Sequence, residues 1–224
     1  MLLRLSGLLD ADEVSQLNRD IVHLNWQDGA KTAGPVARAV KHNLQADLSS
    51  SAGQAVHEQL RERLLNHEVF CSATQPARLS PLIISKTQTG GGYGAHVDNA
   101  FMGQGLDQIR TDISFTLFLS DPESYEGGEL VIDLPGAREE IKLAAGDLVL
   151  YPSTSLHAVA PVHSGKRIVC VGWVESRIPE ASDRELVFDL VNLKAALADH
   201  FEPQSAERLM VQKLYSNLLR RLSR

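Results

Sequence analysis

Hydrophobic positions follow a helical period at both ends of the chain and a period of two in its middle. Near the N-terminus, Asp10 and Glu13 have the spacing of a capping box. The apolar residues after them recur at helical spacing, and so does a second set further on: Val14, Leu17, Ile21 and Leu24, then Ala52, Val56, Leu60 and Leu64. These stripes predict two helices that brace a sheet.

The segment between the two helices, Asp28 to Leu48, is polar and irregular and contains Gly29, Gly34 and Pro35. Such a stretch predicts a long loop, and long loops in compact domains are commonly functional. We expect this loop to lie over the mouth of an active site.

From Leu79 onward, apolar and polar residues alternate and turn residues recur at short intervals. The candidate strands are Pro81 to Thr87, Tyr93 to Asn99, Thr111 to Leu119, Gly128 to Asp133, Glu139 to Leu143, Asp147 to Tyr151, Leu156 to Pro161 and Arg167 to Glu175. Eight short strands separated by turns predict a double-sheet jelly roll.

The pattern becomes helical again after Pro179, where Ser182 and Glu185 have the spacing of a helix cap. Two leucine stripes follow on either side of Pro203, with Leu186, Leu190, Leu193 and Leu197 in the first and Leu214, Leu218 and Leu222 in the second. They predict a helical hairpin packed on the core or on a second copy of the chain, so a homodimer is one expectation.

The predicted fold class is therefore α+β, a double-stranded β-helix (jelly roll) core with N-terminal bracing helices and a C-terminal helical hairpin. We divide the chain into an N-terminal helical region (1–77), the jelly-roll domain (78–177) and a C-terminal helical region (178–224).

Composition limits the classes of partner and the cellular compartment that we expect for this protein. The net charge is -6 and the longest basic run is Arg220-Arg221, which argues against a nucleic-acid surface. No run approaches the ~20 apolar residues of a membrane span, and the apolar N-terminus is too short for a signal peptide. Cys71 and Cys170 form no CxxC or zinc-spaced set. A cytoplasmic protein without membrane or nucleic-acid partners is expected.

Four residues in the strand region could form a reaction centre: His96, Asp98, His157 and Arg167. Two imidazoles and one carboxylate can cover one face of a ferrous ion and leave three positions for a bidentate cosubstrate and dioxygen. On a strand, His96 and Asp98 share one face and Val97 points away, so the third ligand must come from a strand distant in sequence. This pattern is typical of non-haem iron oxygenases.

Arg167 indicates which cosubstrate is used. It lies in a run of branched apolar residues that predicts a buried strand, and a buried guanidinium without an anion carries a penalty of several kcal/mol. Its planar fork suits a carboxylate. The distal carboxylate of 2-oxoglutarate is the obvious candidate for this anion.

Two assignments have rivals. His163 has the same strand parity as His157, but Pro161-Val162 precedes it and Ser164-Gly165 follows it, which favours a turn. Tyr93 lies three residues before His96, on the opposite parity of a regular strand. It is either a core or rim tyrosine, or, if a bulge in the glycine run re-aims it, a hydrogen-bond partner of the cosubstrate.

The motifs resemble those of a known family. The segment Gly90 to Ala100 is similar to the metal strand of iron- and 2-oxoglutarate-dependent dioxygenases of the prolyl-hydroxylase type. Further matches are Tyr125 to Leu130, Ala145 to Ser153, Leu156 to Val159, and Gly165 to Arg167. The combination is most similar to the bacterial PKHD-type hydroxylases, in the PiuC-like group whose name associates it with iron uptake.

This resemblance implies iron(II) on His96, Asp98 and His157, and the cosubstrate carboxylate on Arg167. It also implies L-ascorbate as the reductant that rescues oxidised iron. One departure is that related enzymes often carry an Arg-Tyr pair where this chain has Lys86-Thr87. The metal set is unaffected, but a role for that pair in cosubstrate or substrate contact is not carried over.

The expected activity is hydroxylation of an unidentified small molecule or peptide, with 2-oxoglutarate and dioxygen consumed and succinate and carbon dioxide released. A sensor that binds iron and 2-oxoglutarate without turnover is the alternative. A zinc-dependent cupin-like hydrolase could use the same ligands, but it would leave Arg167 without an anion.

Overall fold

The strand region folds into two antiparallel sheets, and helices cover one of them. The computed structural model describes residues 1–32 and 38–224. The helices are α1 (Ala11–Val22), α2 (Ser51–Asn66), α3 (Glu68–Thr74), α4 (Ala181–Ala198) and α5 (Ala206–Leu222). No described helix has the length and apolar character needed to cross a membrane.

The strands before the first metal-ligand candidate are β1 (Leu3–Leu5), β2 (Trp26–Asp28), β3 (Lys41–His42), β4 (Leu44–Ala46), β5 (Pro76–Leu79), β6 (Ile83–Gln88) and β7 (Gly92–His96). The later strands are β8 (Phe101–Met102), β9 (Ile109–Arg110), β10 (Ile113–Phe118), β11 (Tyr125–Gly127), β12 (Leu130–Leu134), β13 (Ala137–Ile141), β14 (Leu148–Pro152), β15 (His157–Val159) and β16 (Val162–Ser176).

The larger sheet has nine strands and runs β1-β14-β10-β16-β6-β4-β2, with β5 and β11 also paired to β16. The smaller sheet has five strands in the order β13-β12-β15-β7-β3, and β8 and β9 form a separate hairpin. All eight predicted strands are present, and the predicted jelly roll is confirmed. The strand predicted for Tyr93 to Asn99 ends three residues early, at His96.

The long loop predicted for Asp28 to Leu48 is wrong in its described part. This segment contributes β2 and β4 to the large sheet and β3 to the small one, while residues 33–37 lie outside the described residues. Strands of two or three residues are too short to show the alternation that identifies a strand. The N-terminal region therefore supplies strands as well as the predicted helices.

Helices α1 and α2 pack on the outer face of the large sheet. Asp10 and Glu13 form the predicted capping box, each side chain accepting from the other residue's backbone N–H. The apolar stripes are buried as predicted, except that Gly53, not Ala52, takes the first position on α2. Phe70 of α3 meets Phe115 of the sheet edge-to-face, with ring centroids 5.8 Å apart.

A second apolar cluster lies between the two sheets. The large sheet contributes Phe118, Val149, Tyr151 and Val169, and the small sheet contributes Leu130, Ile132 and Ile141. This cluster fixes the separation of the sheets, and the cavity with the predicted metal ligands opens between the same two sheets.

The C-terminal hairpin is present, and its leucine stripes are only partly buried. The buried residues are Arg184, Val187 and Val211, whereas Leu186, Leu193 and Leu214 are about half exposed. The cap predicted at Ser182 is also wrong, because the N-cap is Glu180. Arg184 Nη1 donates to the carbonyls of Ile178 and Pro179, which turns a different face of α4 inward.

Candidate metal centre

The two histidines of the predicted metal set face each other across neighbouring strands. His96 is the last residue of β7 and His157 the first of β15, and the two are directly paired in the ladder. Their ring centroids are 4.2 Å apart. A pair of strands distant in sequence thus brings both imidazoles to one place, as the sequence predicted.

Asp98 joins them by a different route from the one expected. Because β7 ends at His96, the alternation of a regular strand does not position this carboxylate. Instead Asp98 Oδ2 accepts a hydrogen bond from Ser114 Oγ of β10 at 2.6 Å and lies 3.8 Å from His157 Nε2. The candidate ligand atoms of His96, Asp98 and His157 all lie within 4.8 Å of one another. No other group of this kind occurs among the described residues.

Both imidazoles are oriented for metal binding. His96 Nδ1 lies 2.8 Å from the carbonyl oxygen of Gly94, and His157 Nδ1 lies 3.0 Å from that of Ser155. A carbonyl can only accept, so each Nδ1 carries the proton and each Nε2 presents its lone pair. Burial, followed by the neighbouring His157, lowers the pKa of His96 to about 4, so this ring is neutral at pH 7.

The carboxylate is held by a chain of hydroxyls. Ser114 Oγ is also 2.8 Å from Ser153 Oγ. Since Ser114 gives its single proton to Asp98, Ser153 must donate to Ser114. Ser114 is almost fully buried, and this chain satisfies its hydroxyl in the cavity wall.

Arg167 lies on β16 and is 2% exposed, as predicted for a buried strand. Among the described residues, its Nε has no hydrogen-bond partner and no carboxylate lies within 4 Å of its guanidinium. Burial lowers its pKa, while Tyr125, Tyr151 and Glu129 raise it. The guanidinium is a buried cation with room for an anion.

Tyr93 points into the metal cavity because β7 carries a bulge. Between the pairs His157↔His96 and Val159↔Tyr93, β7 has one residue more than β15. The Tyr93 ring therefore stacks on His96, with centroids 3.6 Å apart and planes at 21°. Burial, then the charge of Asp98, raises the pKa of Tyr93 to about 12, so the phenol keeps its proton.

The rival ligand His163 lies elsewhere. The turn predicted around it is wrong, because β16 begins at Val162 and pairs here with β11. Its side chain is exposed and does not belong to the metal group. The side chains of Lys86 and Thr87 lie on opposite sides of β6. Thr87 faces the metal cavity, whereas the Lys86 ammonium lies outside that cavity, 3.7 Å from the Trp26 ring centroid.

Sequence reasoning missed several residues of the site. Tyr151 packs edge-to-face on His157, with centroids 5.1 Å apart, and lies close enough to Arg167 for each to affect the other's pKa. Ser114 and Thr116 line the cavity, and Lys41 stands 5.2 Å from the Tyr93 ring centroid. For Ser114 and Thr116 the sequence did contain a signal, because these polar residues alternate with Ile113, Phe115 and Leu117 in a fully buried strand.

The residues fit an iron(II) site that also takes a dicarboxylate. The metal cavity has a volume of about 140 Å³ and is lined by the three candidate ligands, Arg167 and Tyr93. Two histidines and one carboxylate suit ferrous iron with open positions. The unpaired Arg167 Nε and Tyr125 Oη are buried polar atoms that an anionic ligand would satisfy.

Comparison with known proteins agrees with this geometry. Residues 82–175 match the 2OG-Fe(II) oxygenase superfamily. A PKHD-type hydroxylase of Hyphomonas neptunium is 48% identical over 216 residues, with 96% of each chain covered.

Solved structures of low sequence identity share the fold. A prolyl-4-hydroxylase of Pseudomonas putida is 23% identical, has a TM-score of 0.50, and is matched over 79% of this chain and 92% of that one. A Trichoplax adhaerens prolyl hydroxylase, in complex with a hypoxia inducible factor peptide fragment, is 12% identical with a TM-score of 0.56. It is matched over 78% of this chain and 83% of that one.

Proposed function

The chain belongs to the PKHD-type hydroxylases, within the 2OG-Fe(II) oxygenase superfamily, and on this premise we propose that His96, Asp98 and His157 hold its iron and Arg167 its 2-oxoglutarate. The protein is an iron- and 2-oxoglutarate-dependent dioxygenase that hydroxylates its substrate. The roles of the individual residues and the finer properties below are proposals.

The buried Arg167, whose guanidinium has no carboxylate partner among the described residues, is the observation that carries the assignment. A guanidinium that is 2% exposed and without a carboxylate within 4 Å among the described residues is costly unless an anion joins it. It lies in the same cavity as the three metal ligands. A dicarboxylate that reaches both the metal and Arg167 accounts for the two features together.

Iron held by His96, Asp98 and His157 would supply the activation of dioxygen that couples oxidative decarboxylation of 2-oxoglutarate to hydroxylation of a carbon–hydrogen bond. The chain's own residues bind and orient. Each histidine is held by a backbone carbonyl through Nδ1, Ser114 keeps the Asp98 carboxylate in place, and the forked guanidinium of Arg167 takes the distal carboxylate.

Tyr93 has a proposed role as a cosubstrate contact. Its stacking on His96 and its protonated phenol support hydrogen-bond donation to a cosubstrate carboxylate. Thr87 stands opposite Arg167 in the ladder between β6 and β16 and lines the same cavity. Lys86 lies outside it and is assigned no part in cosubstrate binding.

Further properties belong to the proposal. Ascorbate would return oxidised iron to the ferrous state, and a cytoplasmic location is supported by the free thiols of Cys71 and Cys170. Homodimerisation would cover the half-exposed Leu186, Leu193 and Leu214. We propose that the protein binds neither a membrane nor a nucleic acid. Its proposed substrate is an unidentified small molecule or peptide. A link to iron uptake is proposed only from the resemblance of the sequence to the PiuC-like group.

The test is anaerobic reconstitution with ferrous iron and 2-oxoglutarate, followed by admission of oxygen and measurement of succinate. We expect succinate from the native chain and none from His96→Ala, while His163→Ala, at the exposed histidine, retains full turnover. Equal loss in both variants would contradict the metal assignment. Binding of iron and 2-oxoglutarate without succinate, across a substrate panel, would indicate the sensor instead.

Arg167→Lys tests the cosubstrate site separately. Lysine keeps the charge but loses the forked geometry, and the loss of one charged hydrogen bond, about 1.5–3 kcal/mol, raises the KM for 2-oxoglutarate about 10- to 100-fold. Iron affinity measured without cosubstrate stays unchanged. An unchanged KM would show that the anion binds elsewhere.

A further inference from the structure

A groove of about 960 Å³ lies away from the metal cavity, between the C-terminal hairpin and the helical layer. Its walls come from α2, α3, β5, α4 and α5. None of its lining residues lines the metal cavity, so the groove takes no part in holding the metal or the cosubstrate.

The groove is strongly basic in a chain whose net charge is -6. The cations that line it are Arg61, Arg78, Arg177, Lys194 and Arg208, and the one acidic residue of the lining is the exposed Glu68. They come from α2, β5, the segment after β16, α4 and α5, so five different parts of the fold direct positive charge into one groove.

Most of this charge is not neutralised by the protein. Arg78 is bound by Glu175, but within the described part of the chain no carboxylate comes within 4 Å of the other four cations. Three of them are positioned by neutral acceptors: Arg177 donates to the Pro76 carbonyl at 3.1 Å, Lys194 to Gln212 Oε1 at 2.9 Å, and Arg208 to the Phe201 carbonyl at 3.1 Å. Arg61 makes no hydrogen bond or ion pair with the described residues.

The groove also presents a strand edge that is left unpaired by the described strands, and one of its residues contacts the segment next to the metal cavity. β5 pairs with β16 alone among the described strands, and its four residues all line the groove. An edge strand of this kind can take an extended peptide. Arg78 Nη1 donates to the carbonyl of Leu106 at 3.5 Å. Leu106 is 99% exposed and lies in the segment between β8 and β9, and Met102 of β8 lines the metal cavity.

We propose that this groove docks an extended acidic segment of a partner polypeptide. Four cations spread over separate elements match a chain of carboxylates, and a single small anion would meet only some of them. The backbone edge of β5 can hydrogen-bond an extended peptide, and a nucleic acid has no such strand to pair with it. Arg78 in the groove contacts Leu106 of the β8–β9 segment, and Met102 of β8 lines the metal cavity, so a partner chain that continues past Arg78 would approach that cavity.

The test uses a fluorescein-labelled twelve-residue peptide of alternating Glu and Asp, and its Gln/Asn counterpart, with binding followed by fluorescence anisotropy. The groove variant is Arg61→Gln/Arg208→Gln. The matched control is Lys213→Gln/Arg221→Gln, which removes the same charge from exposed positions of α5 that do not line the groove.

We expect the acidic peptide to bind, the neutral one not to bind, and the groove variant to weaken the Kd about tenfold, as loss of two ion pairs of about 0.7 kcal/mol each predicts. The control should change the Kd less than twofold. Equal weakening in both variants, no binding by the native chain, displacement by inorganic phosphate, or tighter binding of a single-stranded oligonucleotide of equal charge would overturn the proposal. If the double variant melts early, Arg61→Gln alone repeats the test, because its side chain has no partner among the described residues.

Discussion

At the scale of the residue, the proposed metal ligands are positioned by hydroxyls and carbonyls. Ser114→Ala removes the hydrogen bond to Asp98 Oδ2 and leaves the carboxylate free to rotate. Loss of such a supporting contact weakens metal binding about 10- to 100-fold. Titration with cobalt(II), followed by its ligand-field absorbance, measures the change. Ser124→Ala, which removes an exposed hydroxyl bonded to the Asp121 carbonyl, should leave cobalt affinity unaltered.

Gly128 determines how closely the backbone approaches Arg167. A Cβ added here would stand 3.0 Å from Val162 Cγ2 and 3.1 Å from both Arg167 Cδ and Tyr125 Cε2, at a φ of +71°. We expect Gly128→Ala to displace the guanidinium and raise the KM for 2-oxoglutarate.

Gly136 provides the control for this substitution. It has a φ of +80°, but a Cβ there meets nothing within 4 Å. Gly136→Ala should therefore lower the melting temperature through backbone strain of about 1–2 kcal/mol without changing the KM. An equal effect of both alanines on the KM would show that strain, not contact with Arg167, is responsible.

Residue chemistry made much of the metal centre predictable. His96, Asp98, His157 and Arg167 could be identified because their side chains have few other uses in that combination on strands. Tyr151 and Ser114 could not, because a tyrosine or serine in a strand has many ordinary explanations, and only the pairing of β10 with β14 brings these two near the ligands. Tyr93 depended on a bulge that glycines permit but do not require.

At the scale of the element, the capping box starts α1 at a defined residue. Asp10→Ala removes the acceptor for the Glu13 N–H, and a lost N-cap costs about 1 kcal/mol of unfolding free energy. Urea denaturation followed by circular dichroism measures it. Asp12→Ala, in the same first turn but not the cap, should cost less. Equal losses would mean that the charge near the helix start matters more than the cap.

The elements that could be predicted are those with several repeats of their period. Seven of the eight predicted strands have five residues or more and show this period, as does α1, whereas β2, β3 and β4 have three residues or fewer. The leucine stripes predicted the two C-terminal helices but not which face of α4 is buried. Their spacing is helical, but the contacts of Arg184 with Ile178 and Pro179 decide which face of α4 is buried, and periodicity carries no information about those contacts.

At the scale of the whole molecule, the jelly roll shares its core with the N-terminal region. Leu17 and Ile21 of α1 and Leu60 and Leu64 of α2 are each at most 1% exposed and belong to the same cluster as Phe115 and Leu117 of the large sheet. The division at residues 77 and 177 is thus a proposal about regions, and we do not expect the middle region to fold alone.

Expression of residues 78–177 alone tests this. Without α1 and α2 the outer face of the large sheet loses its apolar cover, and β1, β2 and β4 are missing from the sheet. We expect an aggregated or unfolded fragment without cobalt(II) binding. The matched fragment 1–177 keeps this cover and should retain more native circular dichroism. A monomeric 78–177 that binds cobalt would show an independent domain.

The buried charge of Arg167 has a consequence for the stability and abundance of the protein in a cell. Folding removes the Arg167 guanidinium from water, and the proposed 2-oxoglutarate site beside it exists only in the folded chain, so binding of the cosubstrate should stabilise the folded state. A ligand present at a hundred times its Kd adds about 2.7 kcal/mol to the free energy of unfolding. Proteases act on unfolded molecules, so the abundance of the enzyme should rise and fall with the cellular concentration of 2-oxoglutarate.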